Sequence, residues 1–231
     1  MNAIPSAAAS GGRALVAVLK AVIFDFDYTL ADSSVGIIDC IQTAQAGMEL
    51  PISSAPAIRD TIGLSVPEIL VALNGEGQRE RADDFGHRFQ ARADQVMADN
   101  TFVYDAVPGV LRTLAAAGLR TAIASTKFRY RIESILEREG LTELIDTVIG
   151  AEDVKVHKPD PACLIAALRG LDVAADEALY VGDSVVDAEA AQRATIDFVA
   201  VLTGTTQASD FGAFSSLAVL DDLTALPEWV T

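Results

Sequence analysis

Cysteine, histidine and positive charge are all scarce in this 231-residue chain. The two cysteines, Cys40 and Cys163, cannot build a disulfide framework. No CxxC or Cys/His spacing offers a soft-metal site. Both cysteines read as small buried apolar residues, and His87 and His157 as structural or surface residues. Lys and Arg number 17 against 33 Asp and Glu, a formal net charge of −16. Such a chain has no general surface for nucleic acid and no affinity for anionic lipid. Long apolar runs are missing as well. The stretch from Ala14 to Leu30 is broken by Lys20, Asp25 and Asp27, too polar for a membrane span. Residues 1–13 lack the early positive charge of a signal peptide and read as a frayed, disordered tail on a cytoplasmic protein. What is plentiful is core material. The chain is 51% hydrophobic and 22% charged, which suits one globular domain or two small ones.

Five short, nearly continuous apolar runs read as strands: 21–26, 120–125, 147–151, 178–183 and 197–204. Unbroken runs suit strands covered on both faces, as in a parallel sheet. Helical patterns separate them. Residues 108–118 start at Pro108 and stop at Gly118, and 129–140 stop at Gly140. In 160–170, Asp160 reads as N-cap, Pro161 as first helical residue and Gly170 as terminator. From residue 108 onward helix and strand alternate, which predicts right-handed βαβ crossovers in a doubly wound, Rossmann-like α/β core. Between residues 33 and 103 the alternation fails. Helices are expected there at about 35–48, 55–62, 66–74 and 78–99, with a capping-box pattern at Ser65–Glu68. An inserted all-helical domain over 33–103 therefore divides a core of 14–32 and 104–231, with hinges near 32–35 and 100–106.

Ligands of open parallel sheets bind beyond the carboxyl ends of the strands. Asp25 and Asp27 stand at the first such end, Ser125 and Thr126 at the second, Lys158 past the third, and Asp183 and Asp187 at the fourth. Asp25 and Asp27 share a direction if the chain stays extended, and Asp183 and Asp187 share one if a helix starts near Ser184. Several carboxylates without His or Cys form a hard-oxygen site, which suits Mg²⁺. A lysine and hydroxyls around such a cation suit a phosphoryl group. With no His or Cys nucleophile in place, a covalent route needs an attacking carboxylate.

These residues fall into a known pattern. DFDYTLADS (25–33), IAST (123–126), HKPDP (157–161) and VGDSVVDAEAA (181–191) resemble, in order, the four motifs of the haloacid dehalogenase-like hydrolase superfamily. The insert occupies the position of that family's cap. The resemblance spans about residues 20–205 and implies roles. Asp25 would be the nucleophile and a metal ligand. Asp27 would be general acid, then base, with its carbonyl on the metal. Thr29 would orient Asp27, Ser125 and Lys158 would hold the phosphoryl group with Thr126 beside them, and Asp183 and Asp187 would hold Mg²⁺ directly or through water. Asp27 favours phosphoryl transfer over dehalogenation. Tyr28 stands where many members carry Gly. AIRDTIGLSVPEIL (57–70) and STKFRYRI (125–132) are most similar to phosphoglycolate-phosphatase-like members, in which Arg59 would read a second anionic group of the substrate. Lys127, Arg129 and Arg131 form the densest basic patch; they read as a solvated helix face, with attraction of an anionic substrate as the alternative. The implied protein is a Mg²⁺-dependent phosphatase of a small phosphorylated metabolite, monomeric or dimeric. A phosphomutase or a pyrophosphatase of the same superfamily, and a phospho-accepting receiver-like domain, are the alternatives.

Overall fold

The computed structural model describes residues 19–230, so the N-terminal tail lies outside the described residues. The chain runs β1 (Ala21–Phe24), β2 (Ala31–Asp32), α1 (Ser34–Gly47), α2 (Ala55–Arg59), α3 (Val66–Asn74), α4 (Ala82–Val96) and β3 (Phe102–Val103). It continues as α5 (Val107–Ala116), β4 (Arg120–Ala124), α6 (Arg129–Arg138), β5 (Thr147–Ile149), α7 (Ala162–Leu171), β6 (Ala178–Gly182), α8 (Val185–Ala194), β7 (Asp197–Val201), β8 (Ser216–Leu220) and α9 (Leu226–Val230). Six strands form one parallel sheet in the order β5-β4-β1-β6-β7-β8. The central strand explains the fold in miniature. Val22 and Phe24 enter the core layer shared with α5, α6 and α9. Ala21 and Ile23 enter the layer shared with α7 and α8. A strand buried on both faces needs apolar residues at every position, and AVIF supplies them.

The cap has its own core, in which Ile41, Ile58, Leu70 and Phe85 are fully buried. Each contributes roughly 1.5–3 kcal/mol by leaving water. Both connections to the cap pass through a two-stranded antiparallel ribbon that pairs Ala31 with Val103 and Asp32 with Phe102. This ribbon was not expected, because two-residue strands leave no periodicity to read.

Other departures are local. The expected helix 55–62 stops at Arg59, and a turn reaches Gly63 at φ +102°, a region that disfavours a side chain. The pattern over 78–99 divides into a 3₁₀ segment, Glu76–Arg81, and α4. Ser65 makes no side-chain cap bond, whereas Ser54 accepts from Ala57 N at 3.4 Å. Asp160 does accept from Ala162 N at 2.9 Å, but Pro161 is the capping position of α7 and the helix runs past Gly170 to Leu171. Strand β8 went unread, since its partly exposed edge sequence SLAVL lacks a buried run.

Candidate active site

Asp25 follows β1 in phase with Ala21 and Ile23, so its carboxylate falls on the α7/α8 side of the sheet. There it meets Lys158 from the loop before α7 and Asp187 from the first turn of α8. Lys158 Nζ lies 2.6 Å from Asp187 Oδ1 and 2.9 Å from Asp25 Oδ1, with its side chain 1% exposed. This Asp25 oxygen is buried, and the ion-pair contact with Lys158 is its one polar contact among the described residues. Asp183 accepts from Thr29 Oγ1 at 3.2 Å. One oxygen each from Asp25, Asp183 and Asp187 lies within 4.8 Å of the others, all three residues buried.

The electrostatics follow from three carboxylates sharing one lysine. Burial is the main cause that pushes Asp25 up to about 6, against the pull of Lys158. Burial, then Asp187 and Asp25, hold Asp183 well above the usual carboxylate range. Burial would raise Asp187 too. Lys158 and the hydrogen bonds from Ser184 and Tyr180 outweigh it and keep Asp187 low. Burial alone would depress Lys158, but Asp187 and Asp25 more than offset that and raise it. The cluster is short of positive charge, and one of its buried oxygens has only the shared Lys158 as a polar contact. It fits a hard divalent cation.

Asp187 is the most firmly held of the three. Its Oδ1 accepts from Lys158 and from Tyr180 Oη (2.7 Å), and its Oδ2 from Ser184 N (3.1 Å) and Ser184 Oγ (2.6 Å). Ser184 in turn caps α8 by accepting from Asp187 N. Tyr180 and Ser184 were missed in the sequence. The Ser184–Asp187 spacing is a capping signature, whereas a tyrosine inside an apolar strand gives no sign of a polar task. Gly182 leaves room for Asp187, whose carboxylate carbon would lie 2.6 Å from an added Cβ. Gly204 does the same for Asp183, whose Oδ2 would lie 2.0 Å from an added Cβ. Gly204→Ala is expected to leave the fold intact and swing Asp183 out of the three-carboxylate cluster, weakening by about tenfold or more any hold of that cluster on a divalent cation. A Mg²⁺ titration followed by thermal shift reads this directly, and an unchanged midpoint contradicts it.

Asp27 does not join the cluster. The chain leaves strand geometry after Phe24, so the expected shared direction with Asp25 is not maintained. The Asp27 carboxylate instead receives Lys127 Nζ at 2.9 and 3.1 Å, with the two side chains 8% and 4% exposed. Lys127 Nζ also donates to Ser33 Oγ at 3.2 Å, and Thr101 Oγ1 is 3.0 Å from Ser33 Oγ. This buried network touches both sides of the hinge. Thr29 gives its hydroxyl to Asp183 and not to Asp27. Tyr28 sits at φ 62°, a left-handed conformation that costs a non-glycine residue roughly 1–2 kcal/mol. A glycine at this position would adopt the same conformation without that cost.

The remaining expected residues spread along the same rim. Ser125 is buried, and its Oγ accepts from Lys127 N at 3.3 Å. Thr126 Oγ1 reaches Gly63 O of the cap at 3.4 Å. Arg59 is exposed at the end of α2, and its side chain makes no hydrogen bond or ion pair among the described residues. The solvated-face reading holds for Arg129 alone. Lys127 and Arg131 are buried, and Arg131 Nη2 donates to cap residue Asp94 at 2.6 Å and to Gln90 O at 3.2 Å. The FRYR run looked exposed because four polar or aromatic residues in a row hide which face the cap covers. Glu152 accepts from Arg129 N at 2.9 Å and so caps α6. Cys40 and Cys163 are free and buried as expected. His87 and His157 both line a cleft of about 250 Å³ between cap and core.

Comparison with known proteins fits this geometry. Residues 22–201 match the family model described as haloacid dehalogenase-like hydrolase. The chain is 33% identical over 221 residues to a phosphoglycolate phosphatase of Rhodospirillum rubrum, covering 91% of this chain and 90% of that one. It is 33% identical over 190 residues to a phosphoglycolate phosphatase of Cereibacter sphaeroides, covering 80% and 86%. A solved haloacid dehalogenase-like hydrolase from Bacteroides fragilis superposes with a TM-score of 0.87 at 36% identity, covering 90% of this chain and 99% of that one. The chain belongs to the haloacid dehalogenase-like hydrolase family. Within it, the protein is an enzyme, a phosphoric monoester hydrolase.

Proposed function

We propose that the protein is a Mg²⁺-dependent phosphatase that hydrolyses a small, phosphoglycolate-like monoester through an aspartyl-phosphate on Asp25. The observation that carries this is the separation of the two motif carboxylates. Asp25 faces the metal-type cluster, where its one partner is the shared Lys158, and Asp27 lines the cavity between cap and core. In the first step an Asp25 oxygen bonds to phosphorus while the ester P–O bond breaks, and Asp27 gives its proton to the departing oxygen. In the second, Asp27 takes a proton from water, whose oxygen bonds to phosphorus and releases phosphate and the Asp25 carboxylate. Lys158 and Ser125 hold the phosphoryl oxygens. Asp25 and Asp183 are the ligand carboxylates for Mg²⁺, with Asp187 anchoring the lysine and the helix start. When bound, the cation neutralises charge that Lys158 alone does not. The cap excludes bulk water and faces the leaving group. The phosphoglycolate-like substrate is supported by the names of the two bacterial relatives. No helix among the described residues is long and apolar enough to cross a membrane.

Initial rates on 2-phosphoglycolate, sugar phosphates, pyrophosphate and phenyl phosphate test this reading. Phosphate release should require Mg²⁺, favour 2-phosphoglycolate, and fail in chelator. Ca²⁺ should not substitute, because it takes more oxygens and would draw both Asp25 oxygens into coordination. Equal rates in chelator, Mg²⁺ and Ca²⁺ would sink the metal assignment. Isomerised sugar phosphate without net phosphate release would make the protein a mutase, and pyrophosphate as the best substrate would make it a pyrophosphatase.

A further inference from the structure

A second cavity, of about 40 Å³, lies between cap and core and is lined by Asp27 together with Lys127 and Arg131. Its other walls are largely apolar, including Ile62, Leu64, Phe89 and Met97 of the cap. A volume of that size holds about three water-sized groups. In the mechanism above, whatever the leaving oxygen carries lies beyond Asp27, on this side of the site.

One hydrogen-bond donor around this cavity is unsatisfied. Lys127 is fully used, with its three protons directed at the two Asp27 oxygens and Ser33. Arg131 is 6% exposed, and its guanidinium lies 5.2 Å from the Phe128 ring and 5.0 Å from the Tyr130 ring. Its Nη2 serves Asp94, a half-exposed carboxylate on the outer side of α4, and Gln90 O. Its Nε is buried with no acceptor. A buried guanidinium N–H without a partner is costly, and such a cost is sustained where a ligand supplies the acceptor. Lys127 is balanced by Asp27 and Arg131 by Asp94, so what the cavity leaves unmet is the Arg131 Nε–H. An acceptor of about three heavy atoms satisfies this donor, and a carboxylate has that size.

We propose that Arg131 is the specificity-determining residue, whose Nε–H receives a carboxylate carried on the leaving group, with Lys127 adding charge beside it. This assignment rests on the phosphatase reading. It selects short monoesters that carry a carboxylate one or two carbons from the ester oxygen.

The test compares 2-phosphoglycolate with ethyl phosphate, which has the same length but ends in a methyl group. Wild-type kcat/KM should favour 2-phosphoglycolate about tenfold or more. In Arg131→Gln this preference should collapse, mainly through KM for 2-phosphoglycolate, while ethyl phosphate is little changed. Arg131→Lys keeps the charge, loses the Nε fork, and should retain part of the preference. It also serves if the glutamine variant does not fold. Asp94→Asn loosens the cap contact without touching Nε and should leave the preference intact. A preference below about threefold in the wild type, or an equal loss on both esters in the Arg131 variants, overturns the assignment while leaving the phosphatase standing. A wild type that hydrolyses neither ester overturns the phosphatase reading and this assignment with it.

Discussion

Asp25→Asn is expected to reduce phosphate release to background on every ester, with no phosphoenzyme detectable by rapid quench. An amide in that position cannot bond to phosphorus and leave again as a carboxylate. It also removes a negative charge from a cluster short of positive charge. The variant should therefore fold at least as well as the wild type, so that lost activity cannot be blamed on lost structure. Asp27→Asn makes a contrasting case. It cannot cycle a proton, and general acid–base help of this kind is worth about 10²–10⁴-fold. With a nitrophenyl leaving group, which departs unprotonated, the first step should suffer less than the second, and phosphoenzyme on Asp25 should accumulate in a burst. Asp27→Asn also strips Lys127 of its carboxylate, so its folding has to be measured alongside. A long-lived phosphoenzyme in the wild type with negligible turnover would instead identify a receiver-like domain.

The sheet was legible because its strands are short, apolar and buried on both faces, and its helices are punctuated by Pro and Gly. Four of the six strands of the sheet are preceded or followed by a residue that the site uses, so reading strand ends located Asp25, Ser125, Lys158 and Asp183. What could not be read was the cap's contact with the core. Lys127 and Arg131 occur in a polar run, but Arg131 is held by α4, some forty residues away in sequence, and Lys127 by Asp27 and Ser33, 100 and 94 residues away. Tyr180 was invisible for the opposite reason: an aromatic residue in a buried strand is ordinary, and only Asp187 arriving from the next helix makes its hydroxyl part of the site. Asp27 shows the limit of periodicity. Two residues after Asp25 it should have shared a face, but the strand had already ended, and the turn delivered it to the hinge.

Lys158→Met should have the largest effect on stability. The lysine is the one cation among the described residues that touches Asp25 and Asp187, and all three are buried. Removing one partner from a buried ion pair typically costs about 3–5 kcal/mol, because the charge left behind stays out of water. The loss should depend on pH in a definite direction. Asp25 is raised in the folded protein to about 6, above its value of roughly 4 in an unfolded chain. Such a group adds stability that is fully present below its unfolded pKa and is lost as pH rises through its folded one. In chelator, its contribution therefore fades between about pH 4 and 6, and Asp183, also raised, acts in the same sense. Asp187, held low, acts oppositely and only at more acid pH. Without Lys158 the raised pair is pushed further up, so protonation can relieve the crowding at pH 5 but not at pH 7.5. Urea unfolding in chelator should thus show a larger Lys158→Met penalty at pH 7.5 than at pH 5. Added Mg²⁺ should stabilise the wild type more at pH 7.5 than at pH 5, where it competes with protons for the same oxygens. A variant as stable as the wild type at pH 7.5, or a Mg²⁺ gain independent of pH, would mean that the three carboxylates are not one electrostatic unit.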